Sequence, residues 1–120
     1  MSNEIKINIS ATNSNLSDDF KPGLLTVDQT TKGASGGVVL VGSGAEEDLS
    51  LGDVSSPGWF MMKNLDDTNF VTYGPKDTTM KDFGNLGPGE VAIFKLDPAV
   101  TFRWQADTAD VRVEYKCWEV

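Results

Sequence analysis

An all-β fold, an antiparallel β-sandwich of about eight to ten short strands, is what the sequence predicts, and three observations predict it. β-branched and aromatic residues recur with period two, the spacing of a half-buried strand. Gly (12) and Pro (5), with Asn and Asp, punctuate the chain often enough to end each run after a few residues. No stretch carries the 3.6-residue periodicity of an amphipathic helix, so no helical crossover is available to make a parallel sheet. A length of 120 residues fits one domain spanning 1–120. No repeat of 20–50 residues is visible, which excludes solenoids and propellers and leaves a sandwich or a small barrel.

The elements follow in order. Ile5, Ile7, Ile9 and Ala11 alternate with Lys6, Asn8, Ser10 and Thr12, a strand with one apolar face. Phe20-Lys21-Pro22-Gly23 leads into a second strand over 24–31, with Leu25 and Val27 inward and Pro22 at its start, where a missing N–H costs least. After a Gly/Ala/Ser loop at 32–37, the run Val38-Val39-Leu40-Val41 predicts a central strand covered on both faces. The segment around Glu46-Glu47-Asp48, Leu49 and Leu51 fits either a polar strand or a loop. Trp59-Phe60-Met61-Met62-Lys63 and Phe70-Val71-Thr72-Tyr73 predict two strands joined at 64–69 by a tight hairpin. The polar stretch 74–89 reads as a loop or a short edge strand, closed by Gly87-Pro88-Gly89, where Pro presets φ and Gly accepts the positive φ of a type II turn. Strands at 90–96, 100–106 and 110–119 then predict a meander, with Val100, Phe102, Trp104 and Ala106 on one face and Val111, Val113, Tyr115 and Cys117 on another.

Charge narrows the function classes. Eighteen acidic against ten basic residues give a net charge of −8, which opposes binding to a phosphate backbone, so nucleic acid is not an expected partner. No apolar run reaches the length of a membrane span, and the polar alternation near the N-terminus is unlike a signal peptide; synthesis in the cytoplasm without membrane association is the expectation. Cys117 is the single cysteine and histidine is absent, which removes the commonest general base and metal ligand.

The remaining candidates for chemistry are weak. Asp18-Asp19, Glu46-Glu47-Asp48, Asp53 and Asp66-Asp67 offer oxygen ligands but lack the alternating spacing that wraps one calcium ion; solvated loop acids account for them better. A carboxylate pair for glycoside hydrolysis leaves no sequence signature, and the loops to build a cleft are short. The glycine-rich segments 33–37 and 42–44 precede no helix and no Gly-Lys-Ser/Thr element, so they do not cradle phosphate. No catalytic residue, metal site or cofactor is expected. Among the aromatics, Trp59, Phe60, Tyr73, Phe94, Phe102, Trp104, Tyr115 and Trp118, most fall on core faces by alternation. Trp118 instead lies on the side of Asp110, Arg112, Glu114 and Lys116, and if Phe60 and Met62 are the inward pair of their strand, Trp59 and Met61 also point out. Outward apolar residues on an acidic protein make Trp59, Met61 and Trp118 the expected interface; the alternative is that the chain end bends and Trp118 folds back over an open end of the sandwich, capping its own core.

The second half carries a resemblance. The segments Lys63-Asn64-Leu65-Asp66-Asp67-Thr68-Asn69-Phe70-Val71-Thr72-Tyr73-Gly74, Leu86-Gly87-Pro88-Gly89-Glu90-Val91-Ala92, Leu96-Asp97-Pro98-Ala99-Val100-Thr101 and 106–115 resemble a family of small β-rich virion structural proteins of tailed bacteriophages. The match covers residues 58–120 and consists of turn chemistry and alternation. It implies a jelly-roll-like sandwich and a non-enzymatic virion protein, a capsid decoration or cement protein bound to the major capsid protein or another virion protein. A head–tail connector or tail component is the alternative within that class, and a carbohydrate-binding host-surface adhesin is the alternative outside it. For the first strand, 5–12, a homo-oligomer or capsid contact stands beside intrachain pairing, since it lies far in sequence from the strands at 90–119.

Overall fold

The computed structural model describes residues 4–30, 32–52 and 54–120. Thr31, at the end of the expected second strand, and Asp53, one of the candidate acids, lie outside the described residues, as do residues 1–3. Among the described residues all regular structure is β-strand, paired antiparallel, in two compact units: an N-terminal hairpin and a body over Lys32–Glu119.

The hairpin joins β1 (Glu4–Asn13) to β2 (Asp18–Asp28). Its turn is held by the Asn13 side chain, whose Oδ1 accepts from the Leu16 backbone N–H, and Ser17 takes a positive φ. The first strand therefore pairs within the chain, with the segment that follows it directly. β2 begins six residues earlier than the sequence suggests and carries Pro22 in its interior. A two-stranded ribbon has a free edge on which a missing N–H is harmless, and a register shift between Ile9 and Ala11, opposite Gly23, absorbs the irregularity. Ile5 and Ile7 are buried, whereas Leu25, expected inward, is 40% exposed.

The body contains β3 (Ala34–Val41), β4 (Glu47–Asp48), β5 (Pro57–Asn64), β6 (Val71–Asp77), β7 (Thr79–Met80), β8 (Gly84–Leu86), β9 (Val91–Lys95), β10 (Phe102–Ala106) and β11 (Val111–Glu119). One sheet has the order β3-β11-β5-β9; the other runs β4-β10-β6, with β7 and β8 both on the far side of β6. Pairing is nested: β6 with β8, β5 with β9, β4 with β10, β3 with β11. The chain from 34 to 119 is thus one long antiparallel hairpin rolled on itself, and the roll is closed by β11 on β5 and β10 on β6. That is the strand order of a jelly roll.

The core lies between the sheets. Phe60 is at its centre, fully buried, with ring centroids 5.2 Å from Phe102, 5.5 Å from Phe94 and 6.1 Å from Tyr115. Val41, Met62, Val71, Trp104, Val111, Val113 and Cys117 complete it, on the faces that alternation assigns. Burial raises the Cys117 thiol pKa, with the Gly58 backbone hydrogen bond working against it.

Three expectations about connectivity are corrected. Residues 38–41 form an edge strand, not a central one: Val38 and Leu40 are 59% and 54% exposed. An apolar run reports hydrophobicity on both faces, and does not report that a second layer covers both. The 64–69 connection is not a hairpin; it carries the chain from one sheet to the other. Asn64 is buried there, donating through Nδ2 to the carbonyls of Asn69 and Leu86 and accepting the Asp66 N–H at Oδ1, so one side chain closes the corner. The last three strands are not a meander, because β9 and β11 lie in one sheet and β10 in the other. Their core faces still converge, apart from Val100, which precedes β10 and is 44% exposed.

The stretch 74–89 is ordered rather than open. β7 and β8 fold back along β6, with Lys81 N–H donating to the Pro75 carbonyl and Phe83 N–H to that of Tyr73. Gly74 permits it, since a Cβ at that position would stand 1.8 Å from the Lys81 carbonyl oxygen. The turn at 87–90 matches its expectation: Gly89 has φ +75° and Glu90 N–H donates to the Gly87 carbonyl.

Candidate functional site

The register of the four-stranded sheet places every second residue of β3, β11, β5 and β9 on its outward face, and these form rows across the strands. One row is Val38, Glu114, Lys63 and Val91; the next is Gly36, Lys116, Met61 and Ile93; the third is Ala34, Trp118, Trp59 and Lys95. Trp59 and Trp118 are directly opposed, and Met61 follows Trp59 on the same strand. The three residues expected outward are therefore brought to one face, each of them half-buried. Their neighbours Val38, Leu40, Val91 and Ile93 are exposed. A shallow groove of about 550 Å³ runs across the middle rows, lined by Val38, Met61, Lys63, Val91, Glu114 and Lys116.

Sequence reasoning found the β11 and β5 members of this face and missed those of β3 and β9. The signal for β9 was present, as Val91, Ile93 and Lys95 alternate with Ala92 and Phe94. Assigning it required knowing that β9 pairs with β5, which is a long-range fact. Val38 and Leu40 were missed because they were expected to be covered.

The other sheet closes its outward face with its own residues. Arg103 lies between Asp48 and Glu46 and bonds both, Glu46 Oε1 also accepts the Met80 N–H, and Thr72 donates to Asn85. The Met80 N–H, with the Arg103 guanidinium in support, holds the Glu46 carboxyl below the usual carboxylate range; the two carboxylates in turn raise the Arg103 pKa. Asp66 is also lowered, because its carboxylate accepts the backbone N–H groups of Asn69 and Thr68. These acids serve turns and ion pairs, and among the described residues no three His, Cys, Asp or Glu side chains converge as a metal site would require.

A second concavity opens at the edge of the sandwich, between β9 and β6. Tyr73, Phe83, Phe94, Phe102, Leu96 and Val100 line about 410 Å³ there, with Lys95 and Asp97 also in its wall. Tyr73 stacks on Phe94 with centroids 5.9 Å apart and an interplanar angle of 13°. Such walls suit apolar or ring-stacking ligands. Across the chain, no protein-family model, curated protein or solved structure matches.

Proposed function

We propose that this chain is a non-enzymatic structural protein of a bacteriophage virion, a decoration or cement protein that binds the outer surface of the capsid. The outward row of Trp59 and Trp118 with Met61 beside it carries the proposal. Large apolar side chains gathered on the solvent side of a sheet have the composition of an interface centre, where tryptophan and methionine are enriched. The resemblance over residues 58–120 supports it, and its motifs fall at the corners of the roll: the Asn64 crossover, the 87–90 turn and the Asp97 turn before β10. The major capsid protein is the partner, and the virion is the place of function after synthesis in the host cytoplasm. A connector or tail role would use the same face against another virion protein, and immunogold labelling of particles separates shell from neck and tail.

Co-sedimentation with phage particles is the test. Trp118→Ala should weaken occupancy about thirtyfold, the loss of one interface hot spot of about 2 kcal/mol, with only a small change in the melting temperature of the isolated protein. A large fall in melting temperature with unchanged occupancy would instead mean that Trp118 caps its own sandwich. The aromatic cleft at Tyr73, Phe83 and Phe94 favours one second reading, a carbohydrate-binding adhesin. Its few polar groups count against it, and reproducible binding to one glycan family on an array, lost in Phe83→Ala, would establish it.

A further inference from the structure

We propose that the outward face of the sheet β3-β11-β5-β9 docks an acidic protein surface flanked by apolar residues; this rests on the docking role above and names the chemistry of the partner. Charge is distributed unevenly over the molecule. Of the ten basic residues in the chain, four, Lys63, Lys95, Arg112 and Lys116, project from the strands of this face, against one strand acid, Glu114; the exposed Asp110 directly before β11 adds a second, its Oδ1 accepting the Ser43 N–H. The strand residues carry +3, and +2 with Asp110, in a chain of net charge −8.

Among the described residues none of these four cations is in an ion pair, although Lys63 and Glu114 are cross-strand partners. On the opposite sheet the outward cation Arg103 is held by two carboxylates. Lys6 and Lys21 of the hairpin are paired with Glu4 and Asp19, whereas Lys32, Lys76 and Lys81 are in no ion pair among the described residues, so it is the gathering of four cations on one face that sets this face apart. Lys63, Arg112 and Lys116 stand on the two central strands beside Met61, Lys95 on β9, and Val38, Val91 and Ile93 along the two edges, so the face is a cationic centre flanked by apolar edges and its complement is an anionic centre flanked by apolar residues. Duplex DNA is the poorer complement, because the rest of the chain repels phosphate and the edges of the face are apolar. A second copy of this chain would have to offer an acidic surface and not this face, since like charges oppose face-to-face pairing.

The test uses the full chain labelled for NMR, titrated with three probes: a short peptide alternating glutamate with phenylalanine, its lysine counterpart, and a short DNA duplex. The acidic peptide should perturb amides of β3, β5, β9 and β11, and binding should weaken with rising salt. It should also weaken roughly tenfold in K63E/K95E/K116E, whose melting temperature is unchanged, and stay intact in K76E/K81E. Equal binding of the lysine peptide, tighter binding of DNA, perturbation elsewhere, or shifts that follow protein concentration and reveal a second copy would each overturn the proposal. Co-sedimentation with phage particles keeps the two levels apart. Particle binding that survives K63E/K95E/K116E overturns the face and leaves the virion role standing. Binding of the acidic peptide at this face without particle binding supports the face and removes the virion role.

Discussion

The two sheets of the roll share one core and finish their outward faces in opposite ways. On β4-β10-β6, Arg103, Glu46, Asp48, Thr72 and Asn85 satisfy one another, and the strap of β7 and β8 is tied across by the Met80 N–H to Glu46. On β3-β11-β5-β9 the polar groups are left as separate charges and the apolar residues stay exposed. The same alternation builds both faces, so period two says which residues point out and not what they meet there. A surface whose hydrogen bonds close internally contributes to the stability of its own subunit. One that leaves cations and methyl groups unpartnered contributes to association.

The largest effect is expected where the comparison disappears, in the core common to both sheets. Phe60→Ala removes the ring that touches Phe94 of one sheet and Phe102 of the other, and should cost about 3–5 kcal/mol by denaturant unfolding. If the two sheets were independent, a probe in only one of them would report the loss. Asn64→Ala comes next. It leaves the Leu86 and Asn69 carbonyls without their donor at the crossover between sheets, at about 1–3 kcal/mol, and should spare the registers on either side, which backbone amide exchange can verify. Cys117→Ser places a hydroxyl in the apolar site between the sheets at a cost of about 1–3 kcal/mol without loss of particle binding; loss of binding at unchanged stability would assign the thiol a chemical role.

The effect of acid should be gentler. Glu46 and Asp66 have folded-state pKa values below their ordinary range. Their stabilisation is complete above the pH at which the unfolded carboxylates titrate, and is lost as pH falls through the lowered folded values. Denaturant midpoints measured against pH should therefore decline on the acid side, and Arg103→Met should reduce the Glu46 part of that decline only in part, because the Met80 N–H, the larger cause, remains. On the docking face, Ile93→Ser, at a residue 40% exposed, should change the stability of the isolated chain by about 0.5 kcal/mol or less, and a larger loss would mean that this face also is completed within the subunit.

Sequence by itself determined the class of fold, the strands β5, β6, β9, β10 and β11, the inward sets on β5, β10 and β11, the 87–90 turn and the outward direction of Trp59, Met61 and Trp118. All of these follow from local chemistry: alternation on a pleated backbone, a preset φ at Pro88, a tolerated positive φ at Gly89. Tertiary structure decided which strands are neighbours. It sent the 64–69 segment across the sandwich instead of around a hairpin, split the last three strands between two sheets, and left β3 at an edge with Val38 and Leu40 uncovered. Nested pairing joins strands as distant as β3 and β11, through backbone hydrogen bonds that any residue but proline can make. No residue type encodes that partner. It emerges only when all the apolar faces must be buried together, and the same step gathered Lys63, Lys95, Arg112 and Lys116 onto one face.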